Sequence, residues 1–115
     1  MRTKYEIPMK LPSCANLREH WAARAKRAKA HREAGRWVAG VNLIGVRIPP
    51  TAKITVTLTR RAPRALDSDN LAGAFKATRD GIADALGIDD GSPRIEWRYG
   101  QAKGLPAALV EIDVR

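Results

Sequence analysis

The segment from Lys53 to Arg61 alternates cleanly between apolar residues and threonines. Side chains along a β-strand point to opposite faces in turn, so this pattern predicts a strand that is buried on one face and exposed on the other. Ile54, Val56 and Leu58 form the apolar face, and Thr55, Thr57 and Thr59 form the polar one. A strand of this kind requires other elements to cover its apolar side.

Three further strands are predicted from apolar runs bounded by Gly and Pro. They lie at residues 5–11, 94–99 and 107–114, and the first belongs at a sheet edge because it contains Pro8. With the central strand they predict a small mixed sheet of about four strands.

Two or three helices are predicted to pack on that sheet. The first begins near Leu17, after a turn in which Ser13 or Asn16 caps it, and Gly35 ends or bends it. A second helical stretch runs over residues 37–46, and a straight amphipathic helix covers residues 71–86. The resulting order, β-α(α)-β-α-β-β, predicts a single domain of the α/β (α+β) class over residues 1–115.

The chain is strongly basic, with 21 Lys and Arg, 12 Asp and Glu, and a formal net charge of +9. A domain with this charge usually binds a polyanion, most commonly nucleic acid. No apolar run is long enough to cross a bilayer and the N-terminus lacks the apolar core of a signal peptide, so we expect a cytoplasmic protein that does not enter membranes. The single cysteine, Cys14, suits a reducing compartment.

Basic residues are concentrated on the first helix and after the central strand, where they are candidate phosphate contacts. These predicted DNA-binding residues are Arg18, Lys26, Lys29, Arg36, Arg60, Arg61 and Arg64. The chain has few aromatic residues to stack on bases, so recognition is expected to follow the shape and backbone of the nucleic acid rather than its sequence.

Six aspartates lie between positions 67 and 90 of this basic chain. In an extended segment, Asp67 and Asp69 would point to the same side and offer two carboxylates to one cation. One or two carboxylates, completed by waters and phosphate oxygens, are typical of a Mg²⁺ site. The alternative is that Asp67, or one of the polar residues after it, caps the next helix.

A charged stripe is predicted along the helix that follows, formed by Asp69, Gly73, Lys76 and Asp80. Small residues beside the stripe leave room for the backbone of DNA or of another helix to approach. The alternative is an ordinary solvated helix face with a Lys76–Asp80 ion pair.

These motifs together resemble the RusA family of Holliday junction resolvases. The family's D-x-D-N-L motif is similar to Asp67-Ser68-Asp69-Asn70-Leu71, and its later acidic pair is similar to Asp89-Asp90. Residues 11–16 resemble the family's early L-P-P-S-x-N turn. The resemblance implies a homodimer that nicks four-way DNA junctions symmetrically with Mg²⁺ or Mn²⁺.

The resemblance also implies catalytic roles for individual residues. Asp67, Asp69 and Asp90 would be the metal ligands. The family has a lysine four residues after the second aspartate, where this chain has Gly73, and we carry the lysine's catalytic role to Lys76. A lysine in that role would neutralise charge on the phosphate in the transition state.

The predicted straight helix places Asp90 far from Asp67, since the 17 residues from Asn70 to Leu86 would span about 25 Å. Either the helix breaks, for example at Gly81, or Asp90 reaches the site of the partner subunit in the dimer. The sequence favours this composite site.

Two other classes of function fit parts of the pattern. A non-catalytic DNA-binding protein, such as a small regulator, would explain the charge but would leave the aspartates without a role. A Mg²⁺-dependent phosphotransferase or phosphatase would use the D-x-D motif but typically needs more chain and further motifs.

Overall fold

The computed structural model describes residues 1–12 and 20–115. The elements in chain order are β1 (Arg2–Ile7), α1 (Trp21–Asn42), β2 (Ile54–Ala62), α2 (Ser68–Ala74), α3 (Lys76–Leu86), β3 (Ile95–Lys103) and β4 (Ala107–Val114). One four-stranded mixed sheet has the strand order β1-β4-β2-β3. The predicted fold class, an α+β arrangement of a mixed sheet with three helices, is therefore confirmed.

The sheet contains a single parallel pair, β2 with β3, within the described residues. A parallel pair requires a crossover connection, and α2 and α3 provide it. The other neighbours, β1 with β4 and β4 with β2, are antiparallel. β1 lies at an edge, as Pro8 predicted, although it ends at Ile7 and not at residue 11.

The core lies between the helices and one face of the sheet. Ile54, Val56 and Leu58 are at most 1% exposed, which confirms the buried face predicted from the alternation. The threonines of β2 point to the opposite face, where they are only partly covered. The helices therefore cover one side of the sheet.

α1 is one helix of 22 residues that runs through Gly35, so the prediction that Gly35 ends it is wrong. Gly35 is buried, and a Cβ added there would lie 2.6 Å from the carbonyl oxygen of Thr78. At Gly81 an added Cβ would lie 2.1 Å from the carbonyl oxygen of Arg32. The two glycines serve as contact points that let the backbones of α1 and α3 approach closely.

The start of α1 also differs from the expectation. The helix begins at Trp21, where the Nδ1 of His20 accepts a hydrogen bond of 3.2 Å from the backbone N–H of Ala22. Trp21 is 75% exposed, although it lies on the same side of α1 as the buried Gly35 and Ala39. The predicted capping turn at Ser13 and Asn16 lies outside the described residues.

The predicted straight helix over residues 71–86 is two helices, and the break lies at Phe75 rather than at Gly81. Phe75 is fully buried and its ring lies 6.1 Å from the ring of Tyr99. The apolar face predicted across the break is nevertheless buried at Leu71, Phe75, Thr78 and Ile82. Gly87 ends α3 with a φ of 68°, a left-handed conformation that suits glycine.

Candidate active site

Asp67 and Asp69 lie where the chain passes from the end of β2 into α2. Asp67 is the N-cap of α2, with φ −62° and ψ 150°, and its side chain makes no capping hydrogen bond. Asp69 lies in the first helical turn, so the prediction that both residues share an extended segment is wrong. Both carboxylates are exposed, and within the described part of the chain neither has an ion-pair partner.

Gln101 on β3 fixes the backbone just before this motif. Its Oε1 accepts from the N–H of Leu66 at 2.7 Å, and its Nε2 donates to the carbonyl oxygen of Leu66 at 2.7 Å. Because β2 and β3 are parallel, their carboxyl ends meet at one edge of the sheet. The two hydrogen bonds from Gln101 hold the loop after β2 at that edge. Sequence reasoning missed Gln101, since nothing near it along the chain points to residue 66.

Lys76 and Asp90 lie close together at the start of α3. Lys76 Nζ donates to Asp80 Oδ1 at 2.8 Å and lies 3.4 Å from Asp90 Oδ2. The hydrogen bond to Asp80, together with its charge and that of Asp90, raises the pKa of the Lys76 ammonium. The Lys76–Asp80 pair considered as an alternative from the sequence is therefore present.

Asp90 is held on both its backbone and its side chain. Its carbonyl oxygen accepts from Arg79 at 3.1 Å and from the indole N–H of Trp97 at 2.9 Å. Arg79 Nε lies 3.4 Å from Asp90 Oδ2, and the guanidinium lies 4.7 Å from the centre of the Trp97 ring. Desolvation acts to raise the pKa of Asp90, but Lys76 and Arg79 outweigh it, so the pKa is below its ordinary value.

Arg79 is thus a site residue that sequence reasoning missed. Its guanidinium also donates to the hydroxyl of Tyr99 at 2.9 Å, so it connects α3, β3 and the loop that carries Asp90. The spacing of Trp97 and Tyr99 on one strand was visible in the sequence, but their common partner was not.

The three predicted metal ligands are not gathered at one point in this arrangement. Among residues 1–12 and 20–115, no three His, Cys, Asp or Glu side chains lie close enough together to hold an ion. Asp90 returns to the first turns of α3 in its own chain, and the break at Phe75 removes the straight helix from which the composite site was argued. Direct metal ligation by Asp90 stays a prediction.

The predicted phosphate contacts that the structure describes fall into two groups, exposed side chains and arginines that already donate to backbone carbonyl oxygens. Lys26, Lys29, Arg36 and Arg64 are exposed, whereas Arg18 lies outside the described residues. Arg60 donates to the carbonyl oxygens of Leu11 and Arg64, both at 2.7 Å, and burial lowers its pKa.

Arg61 is similarly engaged. It donates to the carbonyl oxygen of Leu105 at 2.8 Å and pairs with Glu6 at 2.9 Å. Arg60 and Arg61 therefore stabilise the loops around the carboxyl end of β2, and any phosphate contact they make competes with these bonds.

A groove of about 310 Å³ lies between the first turns of α1 and the junction of α2 with α3, beside the close contact of α1 with α3. Arg24, Arg27 and His31 line it from α1, and Gly73, Lys76 and Asp80 line it from the other side. A Cβ added at Gly73 would have no atom within 4 Å, so this part of the groove is open. Sequence reasoning did not single out Arg24 and Arg27, which the fold places opposite Lys76.

The half-buried His31 in this groove makes stability depend on pH. Burial, assisted by the charge of Arg27, lowers its pKa, although a backbone hydrogen bond with Lys10 opposes the shift. The unfolded chain therefore binds a proton more readily, and stability is lost as the pH falls below the ordinary histidine pKa of about 6.5.

We expect the free energy of unfolding in urea to fall less in His31→Asn than in the unsubstituted protein when the pH is lowered from about 7.5 to about 5.5. These two values lie on either side of the ordinary histidine pKa. The matched control is His20→Asn at the exposed N-cap of α1. Equal pH dependence in His31→Asn and the unsubstituted protein would contradict the assignment to His31.

None of the described helices combines the length and the apolarity that a bilayer crossing requires. An uncharacterized protein of Xylella fastidiosa (strain Temecula1 / ATCC 700964) is 40% identical over 78 residues, which cover 65% of this chain and 51% of the relative. The chain thus spans about half the length of that relative. No family model and no solved structure matches the chain.

Proposed function

We propose that this protein is a metal-dependent endonuclease that cuts branched DNA, related in activity to the RusA family and acting as a homodimer that resolves four-way junctions by paired nicks. The observation that carries the proposal is the pair of exposed carboxylates of Asp67 and Asp69, which have no ion-pair partner among residues 1–12 and 20–115, in a chain of net charge +9. Carboxylates placed this way would be unfavourable neighbours for DNA unless a cation lay between them and the phosphates.

Carboxylate oxygens are the donors that a hard divalent ion takes, and Asp67 and Asp69 supply two of the three predicted ligands. Asp67 and Asp69 would hold Mg²⁺ or Mn²⁺, with waters and a substrate phosphate completing the shell. Such an ion supplies charge stabilisation at the phosphate and a more acidic bound water. Gln101 would keep Asp67 in place, because it fixes both backbone groups of Leu66.

The carboxylate of Asp90 already pairs with both Lys76 and Arg79. In this arrangement its role is therefore to position these two cations. It holds the Lys76 ammonium at the wall of the groove, where Lys76 would contact a phosphate as a point charge. Asp90 would become a metal ligand only if it exchanged Lys76 for the ion.

The groove between α1 and α3 supports a path for one DNA strand beside these residues. Arg24 and Arg27 add positive charge to the wall opposite Lys76. Lys29 and Arg36, on one side of α1, and Arg64, after β2, would hold phosphates further along the substrate. At about 100° per residue, Lys26 lies about 60–80° around α1 from Lys29 and Arg36, so it is not on the same side of the helix as these two residues.

The proposal is tested by cleavage of a labelled four-way junction in Mg²⁺, in Mn²⁺ and in EDTA, with a linear duplex of the same sequence as the control. We expect paired, symmetric nicks in the junction only, and no cleavage in EDTA. Junction binding without cleavage in any metal would overturn the nuclease assignment in favour of a non-catalytic DNA-binding protein.

Gly73 offers a gain-of-function test of the groove. A lysine there meets no steric obstacle and would add a cation beside Asp69 and Lys76. We expect Gly73→Lys to raise junction cleavage at limiting enzyme by about tenfold, the effect of roughly 1.4 kcal/mol of transition-state stabilisation. Gly73→Gln is the control for side-chain bulk, and equal rates in the two variants would contradict a role for the added charge.

A further inference from the structure

α1 has two different apolar faces. The inward face is built from small residues, with Gly35 and Ala39 buried against the rest of the fold. The large apolar side chains point outward: Trp37 is 72% exposed, Val41 62%, and Ile44, in the turn after the helix, 78%. An exposed apolar stripe of this kind on an otherwise polar helix marks a surface that another molecule covers.

The outward stripe continues toward the start of the helix with spacings of three or four residues. Its members are Ala23, Lys26, Ala30, Glu33, Trp37 and Val41. This spacing is the one at which two helices pack along their length. Small residues at Ala23 and Ala30 allow a second helix to approach closely.

The charges on the stripe select the partner and its direction. Glu33 is the only acidic residue of α1, and Lys29 and Lys26 lie one and two turns before it. In a parallel pair of α1 helices, each lysine would lie opposite the same lysine of the partner subunit and Glu33 opposite Glu33, so like charges would face each other. In an antiparallel pair, with a two-fold axis near Ala30, Glu33 meets Lys26 or Lys29 of the partner subunit.

We propose that α1 packs antiparallel against α1 of a second copy of this chain. The antiparallel register also places the large Trp37 over the region of Ala23 in the partner subunit, so bulk on one helix meets small residues on the other. This inference deepens the proposed function, on which it rests for the expectation of a homodimer, by assigning the surface.

The same geometry leaves the groove free. Arg24, Arg27 and His31 lie on the side of α1 that faces α3, about 80–140° around the helix from Trp37. The second copy therefore covers neither the groove nor the carboxylates of α2.

The strength of the dimer follows from the size of the contact. A helix of 22 residues is about 33 Å long and about 10 Å wide. The area that one such helix face can bury is therefore less than the roughly 800 Å² per partner of a standard interface. We therefore expect reversible, concentration-dependent association. The outward face carries an excess of positive charge, so salt should strengthen the dimer, whereas it weakens binding to DNA.

Sedimentation velocity without DNA, over a range of protein and salt concentrations, tests the interface. Trp37→Ser is expected to weaken dimerisation at least about a hundredfold, since the two-fold symmetry removes one large aromatic contact at each end of the interface. The matched control is Trp21→Ser, because Trp21 is 75% exposed but lies about 160° around the helix from the stripe. This control should associate like the unsubstituted protein.

A charge exchange tests the direction of packing. Lys26→Glu and Glu33→Lys should each weaken the dimer by about tenfold, and the double variant should recover most of the loss. A monomer at all concentrations, or a dimer that Trp37→Ser leaves unchanged, overturns the inference. Absence of junction cleavage by an intact dimer would instead remove the nuclease proposal alone.

Discussion

Substituting Asp69→Asn is expected to lower junction cleavage by on the order of a thousandfold, because under the proposed function the metal ion would lose one of the two carboxylates that hold it. Such an ion contributes several kcal/mol of transition-state stabilisation. Junction binding should survive or tighten, since the change removes a negative charge next to the DNA backbone. Single-turnover cleavage and a binding titration in Ca²⁺, measured on the same junction, separate the two effects.

The control for this variant is Asp84→Asn on α3. Asp84 pairs with Arg32 at 2.9 Å, away from the end of β2, and its pKa is lowered by that contact. Its loss should change stability little, as for other exposed ion pairs, and should leave cleavage unchanged. If Asp69→Asn cuts junctions as fast as Asp84→Asn, Asp69 does not hold a catalytic ion.

Substituting Gly81→Ala is expected to destabilise the fold by about 3 kcal/mol, through overpacking of the α1–α3 contact. The added Cβ would lie 2.1 Å from the carbonyl oxygen of Arg32 and 2.8 Å from the backbone nitrogen of Arg36. Neither atom belongs to a flexible side chain, so the helices must move apart. Thermal unfolding should show a midpoint lower by about 10 °C or more.

Gly40→Ala serves as the matched control within α1. An added Cβ at Gly40 meets no atom within 4 Å, and replacing a helical glycine there should stabilise the protein by about 0.5–1 kcal/mol. Opposite signs for the two variants would establish that the cost at Gly81 comes from the crossing and not from glycine replacement itself. A Gly81→Ala protein as stable as Gly40→Ala would contradict the close approach of the two helices.

The strands could be predicted from the sequence because their signal is local. The alternation in residues 54–58 defines the buried face of β2, and the apolar run of β4 falls where it was expected. The role of a glycine in a helix is not local. Gly35 and Gly81 looked like helix breakers, but each is needed because another backbone passes against it.

The site could be predicted only where its residues are neighbours in sequence. Asp67 and Asp69 were singled out from their spacing, and their role as metal ligands stays a prediction. The position of Asp90 depends on Arg79 and Trp97, which belong to two other elements. The break at Phe75 depends on burial against the sheet, because good helix formers flank it on both sides.

The position of β4 in the sheet has a consequence for how the polypeptide is made. β4 lies between β1 and β2, although every other strand precedes it along the chain. While the ribosome is still synthesising residues 107–114, β1 has no hydrogen-bonding neighbour and one edge of β2 is open. Such edges can pair with other nascent chains.

Pairing of Arg2 with Asp113 also closes a very long loop, which slows folding. The sheet therefore completes only once β4 has emerged. Substitutions that weaken β4 are expected to reduce the yield of folded protein in the cell, through aggregation and proteolysis of unfinished chains, more than they reduce the activity of the molecules that fold.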